Sequence, residues 1–159
     1  MDFNHCSSDV SQALQKGDLS LVQSLSGNKY FITGVVVKGK MLGRKLGFPT
    51  ANLEISPKTP LLLPNGVYAA EVLYKNKTFL GMANIGTRPT VSGKGLTVEV
   101  NLFDFDEDIY GQVLSVNFIK RIRDEKKFRS LEELTHEISR DKVIILELFS
   151  SIYHSDPES

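Results

Sequence analysis

The sequence predicts a mainly β fold, a small antiparallel barrel of about six short strands closed by one long C-terminal helix. Two observations carry this. Between residues 30 and 122, β-branched and aromatic runs alternate with Gly, Pro and Asn punctuation, and no helical period intervenes. From Ser130 the period changes: Ser130 with Glu133 forms a capping box, and Leu131, Leu134, Ile138, Ile145, Leu148, Phe149 and Ile152 recur at helical spacing. Closure of such short strands would also remove their exposed edges.

Taken in order, residues 8–26 read as two short helices. Ser8 can cap the first, Val10, Ala13 and Leu14 are its apolar face, and Gly17 stops it. Asp18 can cap the second, which carries Leu19, Leu21, Val22 and Leu25 and ends at Ser26-Gly27-Asn28. Residues 30–38 are the first strand. Its end mimics a P-loop, Gly34 through Lys40, but Met41 stands where a Ser or Thr hydroxyl is needed, and a Val-Val-Val interior is strand. Residues 51–55 form a second strand, and 56–65, with Pro57, Pro60 and Pro64, an irregular crossing loop. Strands at 66–74 and 78–85 flank a tight hairpin at 75–77. Residues 86–95 read as a long Gly/Pro loop, 96–105 and 112–122 as the last strands, and the final helix as interrupted near 139–141. The expected division is a helical segment over 1–29, the barrel and its helix over 30–153, and a tail over 154–159.

Composition narrows the function. With 41% apolar and 24% charged residues the chain is globular, and 159 residues suit one domain with at most a small appendage. The 19 basic and 19 acidic residues cancel, which argues against a nucleic-acid protein working through bulk charge. No apolar run approaches the length of a membrane span, and residues 1–6 lack the basic and apolar regions of a secretory signal. Cys6 is the single cysteine, so an internal disulfide is impossible and a reducing cytoplasmic setting is expected. His5, His136 and His154 lie away from any glycine-rich stretch, so a general base here is expected to be a carboxylate.

Three stretches could carry chemistry. Gly43-Arg44-Lys45-Leu46-Gly47-Phe48-Pro49-Thr50-Ala51-Asn52 joins turn-forming glycines and cations to two oxygen donors spaced two apart. Such oxygens suit a hard ion such as Mg²⁺, although composition alone favours a basic surface turn leading into a strand. In Thr97-Val98-Glu99-Val100-Asn101-Leu102, alternation puts the apolar side chains on one face and Glu99 with Asn101 on the other. Glu99 is then either a solvated strand glutamate or a base on a rigid element. Arg121, Arg123, Lys126, Lys127 and Arg129, with Phe128 among them, form a basic run that is either a solvated face or a loop that stacks on a planar ligand. The acidic run Asp104, Asp106, Glu107 and Asp108 does not match an EF-hand and reads as a hairpin tip.

Together these pieces resemble the riboflavin kinase module, which stands alone in some organisms and forms the C-terminal half of bifunctional riboflavin kinase/FAD synthetases. The resemblance rests on residues 34–39 and 43–52, Pro64-Asn65-Gly66-Val67-Tyr68-Ala69, Ala83-Asn84-Ile85-Gly86-Thr87-Arg88-Pro89-Thr90, Val98-Glu99-Val100, Asp108-Ile109-Tyr110-Gly111 and Arg123-Asp124-Glu125-Lys126-Lys127-Phe128. It implies a six-stranded Greek-key barrel and ATP-dependent phosphorylation of the riboflavin 5′-hydroxyl, giving FMN and ADP. It also implies roles. Glu99 resembles the base, and Thr50 and Asn52 the pair that holds Mg²⁺ and the nucleotide phosphates. Gly39, Gly43, Arg44, Lys45 and Gly47 belong to the flap over ATP. Phe48, Arg123, Asp124 and Phe128 belong to the flavin side. The partners implied are ATP and riboflavin, with no nucleic acid or membrane, in a monomer or as part of a longer bifunctional chain. No adenylyltransferase motif precedes residue 30, so no FAD synthesis is expected of these residues. The alternative is a non-catalytic flavin- or nucleotide-binding barrel.

Overall fold

In this computed structural model the described residues are 7–37, 50–55, 61–90, 93–105 and 107–154, with backbone alone at 88–90, 93–95 and 154. They fall into two compact units, residues 1–125 and 126–159.

The first unit begins with α1 (Ser8–Lys16) and α2 (Leu19–Ser26). Ser7 rather than Ser8 caps α1, its hydroxyl accepting from the Val10 amide at 3.4 Å. Ser8 is the first helical residue instead, because the cap must keep extended backbone (φ −64°, ψ 162°). Asp18 caps α2 as expected, accepting from the Leu21 amide at 3.1 Å. Val10, Ala13 and Leu14 of α1 and Leu19 and Val22 of α2 are buried with the core.

Six strands follow: β1 (Phe31–Val37), β2 (Ala51–Ile55), β3 (Gly66–Tyr74), β4 (Lys77–Thr90), β5 (Gly93–Leu102) and β6 (Val113–Arg123). Every pairing is antiparallel, and the order β1-β2-β5-β4-β3-β6 closes into a barrel. The β3–β4 turn uses Lys75 and Asn76 at φ 50° and 63°, the left-handed pair that a two-residue hairpin requires. The expected loop over 86–95 is not one at its ends. β4 runs on through Thr90 and β5 starts at Gly93, with Gly86↔Thr97 to Thr90↔Gly93 in register. Gly and Pro weaken strand propensity, but the pairing of two long strands outweighs it here.

Alternation places Ala51, Leu53, Tyr68, Ala70, Val72, Ala83, Ile85, Val98, Val100, Leu114, Val116 and Phe118 in one core. Tyr68 meets Phe118 edge to face at 5.4 Å between ring centroids, and Tyr30 lies 5.9 Å from Phe118 on a tilt. The Tyr30 hydroxyl accepts from the Leu62 amide at 3.1 Å, which fastens the segment before β3 to the barrel end.

In the second unit, α3 (Leu131–His154) is continuous, and the expected break near 139–141 is absent. Ser139 and Asp141 have low helical propensity, but neither removes a backbone donor, so the hydrogen-bond ladder carries through. The Ser130 hydroxyl accepts from the Glu133 amide at 3.1 Å. The Glu133 carboxylate reaches back to the Arg129 amide at 3.3 Å, one residue earlier than the usual reciprocal bond. Lys126 pairs with Glu137 at 3.1 Å. Among the described residues, no helix is long and apolar enough to cross a membrane.

Candidate active site

The site begins with strand register. Ala83, Ile85, Val98 and Val100 are buried in the barrel interior, so the residues between them face outward. Asn52 of β2 stands directly opposite Glu99 of β5, and Glu99 stands directly opposite Asn84 of β4. The line continues to Val37 of β1 on one side, and to Val67 of β3 and then Arg123 of β6 on the other. A register shift between Val67 and Tyr68 bends the last step. One cross-strand line therefore carries two carboxamides and a carboxylate on adjacent strands. Direct neighbours in such a line are about 4.5–5.5 Å apart, within reach of each other's side-chain ends.

Asn52, Glu99 and Asn84 are all half-buried, so the line is neither solvated surface nor core. Thr50 directly precedes β2, two residues before Asn52, the spacing at which strand alternation would bring two side chains to one side. The Thr50 hydroxyl and the Asn52 carboxamide are neutral hard oxygens beside a carboxylate, a donor set that fits Mg²⁺. Among the described residues, no group of three His, Cys, Asp or Glu side chains converges as a metal site.

Asn84 has a property that its neighbours on the strand lack. Its Oδ1 is buried and has no hydrogen-bonding partner among the described residues. Leaving a buried acceptor without a donor costs about 1–3 kcal/mol, so the position is expensive unless a group beyond the described residues completes it. Sequence reading assigned Asn84 no role. An amide between Ala83 and Ile85 in an otherwise apolar stretch was the available signal, but only the register shows that it faces Glu99.

The flavin-side residues divide. The Arg123 guanidinium donates to the Asp124 carbonyl at 3.0 Å. The Asp124 carboxylate pairs with Arg121 at 2.8 Å and is otherwise largely exposed. Phe128 belongs to the second unit, in the irregular segment before α3. The Glu125 carboxylate lies against Gly86 of β4, in the space that a Cβ there would fill. Gly39, Gly43, Arg44, Lys45, Gly47 and Phe48 lie outside the described residues.

A separate polar cluster lies at the β3–β6 pair. The Tyr68 hydroxyl donates to the Pro64 carbonyl at 2.6 Å, and Arg121 donates to the Asn65 carbonyl. Burial pushes the Tyr68 phenol above its ordinary range, and Arg121 offsets this only in part. Burial acts to lower the Arg121 pKa, but hydrogen bonds and charge from Asp124 and Tyr68 outweigh it and hold the guanidinium above its ordinary value.

Comparison with known proteins gives one consistent match. Residues 26–149 match the Flavokinase family model, described as riboflavin kinase. The chain is 45% identical over 144 residues to the bifunctional riboflavin kinase/FMN adenylyltransferase of Escherichia coli K12, covering 90% of this chain and 45% of that protein. It is 40% identical over 149 residues to the protein of the same name from Bacillus subtilis, covering 92% of this chain and 47% of the other. The chain thus spans about half the length of the curated relatives it matches. Among solved structures, one described as a macrolide-efflux protein from Streptococcus pneumoniae superposes with a TM-score of 0.82 at 34% identity, over 88% of this chain and 46% of that one. Riboflavin kinase from Trypanosoma brucei shares the fold, with a TM-score of 0.56 at 24% identity over 81% of this chain and 91% of that one.

Proposed function

The chain belongs to the riboflavin kinase family, and from that premise we propose that it transfers the γ-phosphoryl group of ATP to the 5′-hydroxyl of riboflavin, giving FMN and ADP. The observation that carries the reading is Glu99 held between Asn52 and Asn84 on three adjacent strands. A rigid wall is where a base needs to sit if it is to meet a hydroxyl in one orientation.

The alcohol oxygen bonds to the γ-phosphorus, the bond from that phosphorus to the bridging oxygen breaks, and ADP leaves. The alcohol proton passes to the Glu99 carboxylate. Such transfer asks the protein mainly for positioning and for stabilisation of charge on the transferring group. Thr50 and Asn52 would hold Mg²⁺, which would neutralise phosphate charge when bound. Gly39, Gly43, Arg44, Lys45 and Gly47 would face the nucleotide phosphates, with amides and cations suited to an anion. Phe48, Arg123, Asp124 and Phe128 would bind the flavin, Phe128 by stacking and Arg123 by charge. The adenylyltransferase activity in the relatives' names is not part of the proposal for these residues. We further propose a cytoplasmic location, and a monomer or one part of a longer bifunctional chain.

Incubation with riboflavin, ATP and Mg²⁺, followed by chromatographic separation of flavins, tests the reading. FMN is the expected product. Riboflavin that binds but yields no FMN with any divalent metal or pH would leave a non-catalytic flavin-binding barrel.

A further inference from the structure

We propose that Asn84 is a substrate-binding residue of this site, its Oδ1 accepting a hydrogen bond from a hydroxyl of the polyol chain next to the one that reacts. The inference rests on the kinase reading above and assigns a residue that the reading leaves without a role.

Three observations converge on it. First, Asn84 faces Glu99 directly across the β4–β5 pair, on the outward side of the barrel. Second, its Oδ1 is buried with no hydrogen-bonding partner among the described residues. Third, Asn52 faces Glu99 from the opposite strand, so the carboxylate stands between the two amides. An unsatisfied amide oxygen needs a donor. The phosphate oxygens of a nucleotide at neutral pH are acceptors and cannot serve. A hydroxyl can, and a chain of neighbouring hydroxyls offers a second one beside the hydroxyl that loses its proton to Glu99.

The order of side chains then has a chemical meaning. The phosphoryl donor and its cation lie on the Asn52 side of Glu99, the acceptor alcohol lies on the Asn84 side, and the base sits between them. Fixing the second hydroxyl on Asn84 would aim the reacting one at the phosphorus, which is the positioning that such a transfer requires. A divalent cation could also take an amide oxygen, but Asn84 is separated from Asn52 by a whole strand and by Glu99, so one ion at Thr50 and Asn52 does not account for it.

The test is Asn84→Ala in the full chain, with steady-state kinetics and with equilibrium binding of riboflavin and of lumiflavin, which has the same ring system but no polyol. The expected result is a KM for riboflavin raised about 5- to 100-fold, an unchanged KM for ATP, unchanged dependence on Mg²⁺, and weakened binding of riboflavin but not of lumiflavin. If the alanine variant does not fold, Asn84→Ser, which keeps a small acceptor, takes its place, with the same pattern expected in milder form. An unchanged riboflavin KM in a folded, active variant overturns the inference and leaves the kinase reading standing. Equal weakening of lumiflavin, or a loss that appears as Mg²⁺ dependence, also overturns it. Absence of FMN from the unsubstituted protein overturns the kinase reading, and this inference falls with it.

Discussion

Two buried side-chain polar atoms have no hydrogen-bonding partner among the described residues, Asn84 Oδ1 and Arg121 Nε, and their surroundings differ in kind. Arg121 is held on several sides. Its Nη2 pairs with Asp124 and donates to the Asn65 carbonyl. Two glycines in left-handed backbone flank it, Gly17 at φ 72° and Gly66 at φ 152°. A Cβ on Gly17 would come within 2.8 Å of Arg121 Cδ, and one on Gly66 within 2.8 Å of Nη2. The Nη2 donors have acceptors within the chain, the Asn65 carbonyl and the Asp124 carboxylate, so the unused Nε–H sits in a cluster whose other polar groups are paired by the protein itself. Asn84 is neutral and offers a single acceptor in a line that includes a carboxylate. At Arg121 the unused N–H lies in tight packing against two glycines, whereas at Asn84 the unpaired oxygen is where we propose that a ligand hydroxyl binds.

The largest expected effect lies in the Asn52–Glu99–Asn84 line. If Glu99 is the base of the proposed kinase, Glu99→Gln keeps the shape and the hydrogen-bonding reach but removes that base, so kcat should fall by about 10² to 10⁴ while the proposed substrates, riboflavin and ATP, still bind. That is about 3–5 kcal/mol of barrier. Kinetics alongside fluorescence titration of riboflavin would separate the two, and unchanged turnover would remove Glu99 from the chemistry.

The Arg121 cluster should answer in stability instead. Gly66→Ala forces a side chain into left-handed backbone and drives its Cβ against Arg121 and the Arg123 carbonyl, which as main chain cannot swing away. Backbone strain of this kind costs about 1–3 kcal/mol, so the denaturation midpoint should fall clearly. A midpoint that stays put would show that the two glycines do not hold the cluster.

The two regions were unequally legible in the sequence. The barrel was, because β-branched alternation and the turn residues at 75–77 are local signals, and β2 and β3 appear where the pattern places them. Glu99 as an outward strand residue was legible for the same reason. Asn84 was not, since its importance lies in which residue it faces, and register depends on how β4 and β5 pair over their whole length. That pairing also hid the extension of β4 through Thr90, where Gly and Pro signal a loop. Nor was the split of the basic run legible. Arg121 and Arg123 are two apart, yet the first is committed to Asn65 and Asp124 while the second lies on the line with Glu99. Spacing alone treats them as equivalent cations.

The smallest effect sharpens the comparison from the side of pH. Tyr68 is fully buried and its hydroxyl donates to the Pro64 carbonyl at 2.6 Å beside Arg121. Burial raises the phenol above its ordinary value of 10.0 despite the opposing pull of the guanidinium. In the unfolded chain the phenol titrates nearer that ordinary value, so it gives up its proton first there. The stability contributed by the neutral phenol is complete below about pH 10 and is lost as pH rises through the folded value. Tyr68→Phe should cost about 1 kcal/mol at neutral pH, the net worth of the lost hydrogen bond. It should also flatten the alkaline decline in stability between the unfolded and folded titrations. Arg121 keeps its charge throughout that range, so it does not contribute to the difference. Denaturant midpoints for both proteins at pH 8 and above pH 10 decide the matter. An equally steep alkaline decline in the phenylalanine variant would mean that the phenol is not held neutral by burial, and that the cluster tolerates its unused guanidinium N–H for some other reason.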